Sequence, residues 1–190
     1  MMSIEYSKSN LVLFPGPFLY NKQLRRHDKI KEKLLPWITE RPVESCYDNF
    51  NDDSGEFGDY LESLDFFSEI VFDPVASCME SLPYDISDTE DINLQHIWYN
   101  NYKVGESHGP HVHADSTFSG VYLLHVGEEN NTIFFGAGTS NTAYQNFAYD
   151  TKHISEGNIL IFPSDMYHCT EPAQDNRITI SFNVTCTFSE

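Results

Sequence analysis

Residues 158–188 read NILIFPSDMYHCTEPAQDNRITISFNVTCTF. Two β-branched, apolar runs, 158–163 and 177–188, are held apart by Pro, Ser, Asp, Glu and Asn, the residues that punctuate turns. The first run stops at Pro163-Ser164 and delivers His168, which places that imidazole at the mouth of a sheet. Nine residues later Arg177 opens the second run. A guanidinium in an otherwise apolar strand is costly unless it is paired. Its planar fork suits a carboxylate.

The same β pattern extends upstream. NLQHIWYNNY (93–102), FSGVYLLHV (118–126), NTIFF (131–135) and NTAYQNFAY (141–149) are further aromatic and β-branched runs between turn residues. So many short strands in under a hundred residues predict a jelly roll or barrel-like double sheet. Before residue 92 the character differs. NLVLF (10–14) predicts a short strand, stopped by PGP. Leu24, Ile30 and Leu34 share a face of a helix expected over about 21–35, ended by Pro36. The acidic stretch 46–60 reads as a solvated loop. Leu61, Leu64, Phe67, Ile70 and Val71 then recur at three- and four-residue steps, predicting a helix over 61–82 that Pro74 kinks or splits. The expected class is α+β, one domain over 1–190: residues 1–91 form helical support with an edge strand, and 92–188 form the jelly-roll core.

Bulk properties narrow the function. A chain of 190 residues suffices for one sizeable core, and 40% hydrophobic with 14% aromatic content argues against disorder. A net charge of −18 repels phosphate, which disfavours nucleic-acid and anionic-membrane partners and favours a neutral or basic substrate. Cys46, Cys78, Cys169 and Cys186 form no C-x-x-C pair and read as free thiols of a reducing compartment. The N-terminus is polar and no apolar run has the length of a membrane span, so the expectation is a soluble, cytoplasmic protein.

The other concentration of chemistry is GESHGPHVHADSTFSGVYLL (105–124), which holds three of the eight histidines. If a strand persists to Asp115, alternation puts His111, His113 and Asp115 on one face. One strand then supplies two ligands of a mononuclear site and His168 a further one. His108 is expected to be a solvated loop residue; His96, His125 and His153 are expected to be structural. Gly120 reads as a point of close backbone approach.

Together these residues resemble the iron(II)- and 2-oxoglutarate-dependent oxygenases. YKVGESHGPHVH carries Tyr102, Gly105 and His111 at spacings similar to the prolyl-hydroxylase branch, and HCTEPAQDNRITIS is similar to that branch's distal His and Arg segment. The order H-x-H, SGVY, FPS, His, Pro, then R-I-x-I-S-F-N looks closer to a little-characterised subfamily of these oxygenases. The resemblance runs from about Trp98 to Val184. It implies a double-stranded β-helix, iron(II) and 2-oxoglutarate as cofactors, and oxidation of a small-molecule or peptide substrate with release of succinate and carbon dioxide. His113 and His168 would be ligands. The third is His111 by register from Tyr102 and Gly105, or Asp115 by the usual two-histidine, one-carboxylate chemistry. The register is preferred, with Asp115 behind the ligands. Arg177 would take the far carboxylate of 2-oxoglutarate, with Tyr102, Thr179 and Ser181 as lesser partners. The subfamily reads SGVYY where this chain has Leu123, which removes one hydroxyl. Two other functions fit the pattern: a cupin-like metal enzyme that does not use 2-oxoglutarate, and a non-catalytic ligand-binding module of the same fold.

Overall fold

The structure, a computed structural model, describes residues 18–41, 45–49, 55–82, 89–113, 115–127, 132–135 and 148–188. In chain order these form β1 (Tyr20–Gln23), α1 (His27–Thr39), β2 (Ser45–Asn49), α2 (Glu56–Ser63), a π-helical turn (Ser68–Phe72), α3 (Asp73–Ser81), β3 (Thr89–Tyr102), β4 (His108–His111), β5 (Phe118–His125), β6 (Thr132–Phe135), β7 (Ala148–Asp150), β8 (Asn158–Pro163), β9 (His168–Thr170) and β10 (Arg177–Phe188). The strands make two antiparallel sheets, ordered β1-β8-β5-β10-β3-β2 and β4-β9-β6-β7. Helices come first and a double sheet follows, the α+β jelly roll expected.

The two faces of β10 explain the architecture. Ile178, Ile180, Phe182 and Val184 point one way and join Tyr122, Leu124, Ile159 and Ile161 under Ile30, Leu34, Leu61, Ile70 and Val75 of the helical layer. Arg177, Thr179, Ser181 and Asn183 alternate with them, and all four are buried. The large sheet therefore shows helices an apolar face and shows the small sheet a polar one. Leu123, Leu160 and Phe162 form a smaller apolar cluster, and Phe162 meets the His168 ring at 4.7 Å between centroids. Gly120 lies directly opposite Phe182 in the β5–β10 pair. A Cβ there would stand 2.1 Å from the Phe182 ring, so the expected close approach is real.

Several boundaries differ from the sequence reading. Residues 21–23 belong to β1, paired with β8, and α1 starts only at His27. It also runs through Pro36. The proline removes one helical hydrogen bond and costs about 3 kcal/mol. Burial of Ile38 beyond it, at about 1.5–3 kcal/mol, with Trp37 stacked on Tyr60, offsets that. The stretch 46–60 is not simply a loop: β2 pairs with β3 at the sheet edge, and α2 begins at Glu56, seated by the fully buried Phe57 and Leu61. Residues 50–54 lie outside the described residues. The 61–82 helix breaks at Leu64–Phe66, where Asp65 takes φ 57°, and not at Pro74. That proline sits in the first turn of α3, where its missing N–H is not needed. The expected strand 10–14 and residues 141–147 also lie outside the described residues. Cys78, Cys169 and Cys186 are free thiols, and no described helix is long and apolar enough to cross a membrane.

A polar clamp fastens α1 to the large sheet. The Glu156 carboxylate accepts from Lys31 and from the Val126 N–H at 3.0 Å, and faces His27 at 3.2 Å and His125 at 3.1 Å. Burial alone would raise the Glu156 pKa, but Lys31, the Val126 N–H and His27 outweigh it and hold the carboxyl at about 2, against an ordinary 4.5. The folded-state value is depressed, so this contribution is full above the unfolded value and fades as pH falls from about 4.5 to about 2. Glu156→Gln is expected to lower the melting temperature at pH 7 and to converge on wild type towards pH 2–3. A constant offset across that range would remove Glu156 from acid stability.

Candidate metal centre

The bridge from fold to chemistry is the pairing of two short strands. His111, the last residue of β4, is directly opposite His168, the first of β9. Two residues beyond β4, the His113 N–H donates to the Ser164 carbonyl at 2.8 Å. These constraints converge the rings of His111 and His168 to 4.2 Å, His111 and His113 to 5.0 Å, and His113 and His168 to 5.2 Å between centroids. One nitrogen from each of the three lies within 4.8 Å of the others, as a metal ion requires.

Hydrogen bonds fix which nitrogen is available. The His111 Nδ1 lies 2.8 Å from the Gly109 carbonyl and the His168 Nδ1 2.9 Å from the Met166 carbonyl. A carbonyl only accepts, so both Nδ1 atoms carry the proton and both Nε2 atoms carry the lone pair. For His113 and His168, protonation does not compete at neutral pH. Burial, then the neighbouring imidazoles, lower the His113 pKa to about 4. Burial lowers that of His168 to about 3, against the opposing pull of the Met166 carbonyl. Three imidazoles on one side suit a borderline divalent first-row metal such as iron(II).

Asp115 is not brought into this group. The strand ends at His111 rather than persisting, and Asp115 sits exposed in a turn at φ 66°. The alternation that would have aligned it with His111 and His113 is therefore absent. His108 departs from its expected role as a plain loop residue. A register shift in the β4–β9 pair sets His108 opposite Thr170 and His111 opposite His168. His108 and His111 thus share a face, and their rings stack at 4.0 Å and 17°. The HGPH sequence, with Gly and Pro between the two histidines, is the signal for such a bulge. His125 faces Glu156 at 3.1 Å and the His153 Nε2 lies 3.0 Å from the Tyr149 hydroxyl, both outside the histidine group.

The second half of the site is cationic. Arg177 is 2% exposed, its guanidinium 4.3 Å over the Tyr102 ring, with Nη1 donating to the Glu171 carbonyl at 3.2 Å. Burial lowers its pKa, opposed by Tyr102 and Asp175. Arg177 and Tyr102 are cross-strand partners, and the Tyr102 side chain hydrogen-bonds Thr170, two residues from His168. Thr179 and Ser181 continue the same buried face of β10, with Leu123 opposite Thr179. The histidine cluster and the buried guanidinium are therefore both tied to the β9 segment, through His168 and through Thr170 and Glu171.

Residues 96–183 match the family described as “Putative 2OG-Fe(II) oxygenase”. The match spans the oxygenase pattern from His96 in β3 to Asn183 in β10, so it contains all three histidines and Arg177. No curated protein matches the chain significantly. Solved structures share the fold. A Pseudomonas putida prolyl-4-hydroxylase aligns with TM-score 0.54 at 15% identity, over 88% of this chain and 91% of that one. A collagen prolyl hydroxylase of Paramecium Bursaria Chlorella virus-1 aligns with TM-score 0.56 at 12% identity, over 87% and 94%. The non-heme alpha ketoglutarate dependent epimerase SnoN from nogalamycin biosynthesis aligns with TM-score 0.59 at 11% identity, over 90% and 81%. The chain thus shares the double-stranded β-helix fold of these solved structures, with a candidate triad of three histidines.

Proposed function

We propose that the protein is an iron(II)- and 2-oxoglutarate-dependent oxygenase that hydroxylates a small-molecule or peptide substrate. The observation that carries this reading is the convergence of His111, His113 and His168, with His168 on a strand whose neighbouring Glu171 carbonyl holds the buried Arg177. Iron bound by the histidines would supply dioxygen activation coupled to decarboxylation of 2-oxoglutarate to succinate and carbon dioxide. The chain's own tasks are positional. His111 and His168 present fixed Nε2 lone pairs. Arg177 takes the far carboxylate in a setting where burial strengthens the pairing. Leu123 offers no hydroxyl, so further hydrogen bonds to that carboxylate fall to Tyr102, Thr179 and Ser181. The Phe162 and Trp98 rings flank His168 and His113 and limit water at the ligands. The acidic chain selects neutral or basic substrates over nucleic acid.

The test is succinate release by iron-loaded protein, with a panel of metabolites and peptides. Turnover that needs both iron and 2-oxoglutarate, and rises with one substrate class, is expected. Iron binding without any 2-oxoglutarate consumption would favour a metal enzyme of another reaction type.

A further inference from the structure

Three side chains of the sequence pattern have no part in the site so far: the Ser of SGVY, the Ser of FPS and the Asn that ends R-I-x-I-S-F-N. They are Ser119, Ser164 and Asn183. From three different strands or strand ends, the fold brings them into one contact. The Ser119 Oγ is 2.9 Å from the Ser164 Oγ and donates to the Asn183 Oδ1 at 2.8 Å. Ser119 spends its proton on Asn183, so Ser164 donates to Ser119. All three are buried, Ser119 and Ser164 at 1% exposure and Asn183 at 5%.

What this chain holds in place is the turn after β8. The Ser164 carbonyl accepts the His113 N–H at 2.8 Å, and the Ser164 N–H donates to the Thr117 carbonyl at 3.2 Å. Within the same turn Met166 N–H bonds the Pro163 carbonyl at 2.9 Å. The Met166 carbonyl in turn fixes the His168 Nδ1 proton at 2.9 Å. His113 lies outside any strand, so no ladder sets its backbone. One turn therefore references two of the three histidines, and one side-chain network pins that turn to β5 and β10.

We infer that Ser119, Ser164 and Asn183 are positioning residues of the metal centre, setting the mutual geometry of His113 and His168. The inference rests on the metal-site reading above. Removing outer hydrogen bonds around metal ligands typically lowers metal affinity by about 10–100-fold. The experiment titrates cobalt(II) into wild type, Ser119→Ala, Ser164→Ala, Asn183→Ala and the Ser119→Ala/Ser164→Ala pair, following the visible ligand-field bands, with melting temperatures of the metal-free proteins alongside. The expected result is a roughly 10–100-fold weaker dissociation constant and altered band positions in each single variant. The double variant should lose less than the product of the singles, because both break one chain. Ser164→Thr, which keeps the hydroxyl, should restore the wild-type spectrum. Should Ser164→Ala fail to fold, Asn183→Ala at the far end of the network carries the same comparison. Wild-type affinity and bands in the variants, with only a lowered melting temperature, would reduce the network to fold support and leave the metal reading standing. Absence of cobalt binding by wild type would remove both.

Discussion

Replacing His113 and His168 together with alanine is expected to abolish stoichiometric binding of iron(II) or cobalt(II). Each supplies a nitrogen within 4.8 Å of the others, and a single remaining imidazole is a weak monodentate ligand. The measurement must separate lost metal from lost fold. His168 is 3% exposed, and its removal strands the Met166 carbonyl, worth about 1–3 kcal/mol of stability. A thermal melt of the metal-free variant reads that cost directly, so metal content can be compared only among variants that fold. The same series decides the third ligand. His111→Ala should also lose the metal, because His111 is the cross-strand partner of His168. Asp115→Ala should retain it, because Asp115 is exposed in a turn outside the group. The opposite pair of results would restore the carboxylate triad.

The sequence made the jelly-roll half legible because its strands announce themselves. NILIFP and RITISFNVTCTF occupy β8 and β10 as read, since uninterrupted β-branched runs bounded by turns have few other uses. The helical half was legible in kind but not in boundaries. Tertiary burial of Ile38 carried α1 through Pro36, and Phe57 with Leu61 seated α2 in a stretch whose acidity suggested a loop. Within the site, His113, His168 and Arg177 were readable from spacing. Register from Tyr102 and Gly105 also preferred His111 to Asp115 as the third ligand, but did not show that Asp115 would stand apart in an exposed turn, because alternation holds only inside a strand and β4 stops at His111. The stacking of His108 depends on a register shift, and the Ser119–Ser164–Asn183 network on contacts spanning 64 positions. The first has only the local HGPH signal and needs β9 as its partner, and the second has no local signal at all.

Arg177→Ala is expected to weaken 2-oxoglutarate binding far more than metal binding, by about 2–5 kcal/mol or roughly thirty-fold to a few thousand-fold. The size follows from where the charge sits. The whole chain carries −18 and repels a dicarboxylate at long range. That field is screened within about 8 Å at physiological ionic strength, so affinity must come from a cation at contact distance and sheltered from solvent. Arg177 is such a cation: it is buried, held by the Glu171 carbonyl and backed by the Tyr102 ring. The cation that faces the β9–β10 connection, Lys152 of the β7–β8 connection, is more than half exposed and lies 3.8 Å from Glu171, where water and its partner blunt it. Truncation would leave a ligand carboxylate desolvated without a partner, which is the costly asymmetry of buried polar pairs. Arg177→Lys keeps the charge but loses the two-pronged geometry, and should fall between wild type and alanine. Calorimetry of manganese-loaded protein with 2-oxoglutarate reads these differences without turnover. Equal affinity in wild type and Arg177→Ala, with metal binding intact in both, would mean that the far carboxylate is held elsewhere and that the guanidinium serves only the packing of β10 on β3.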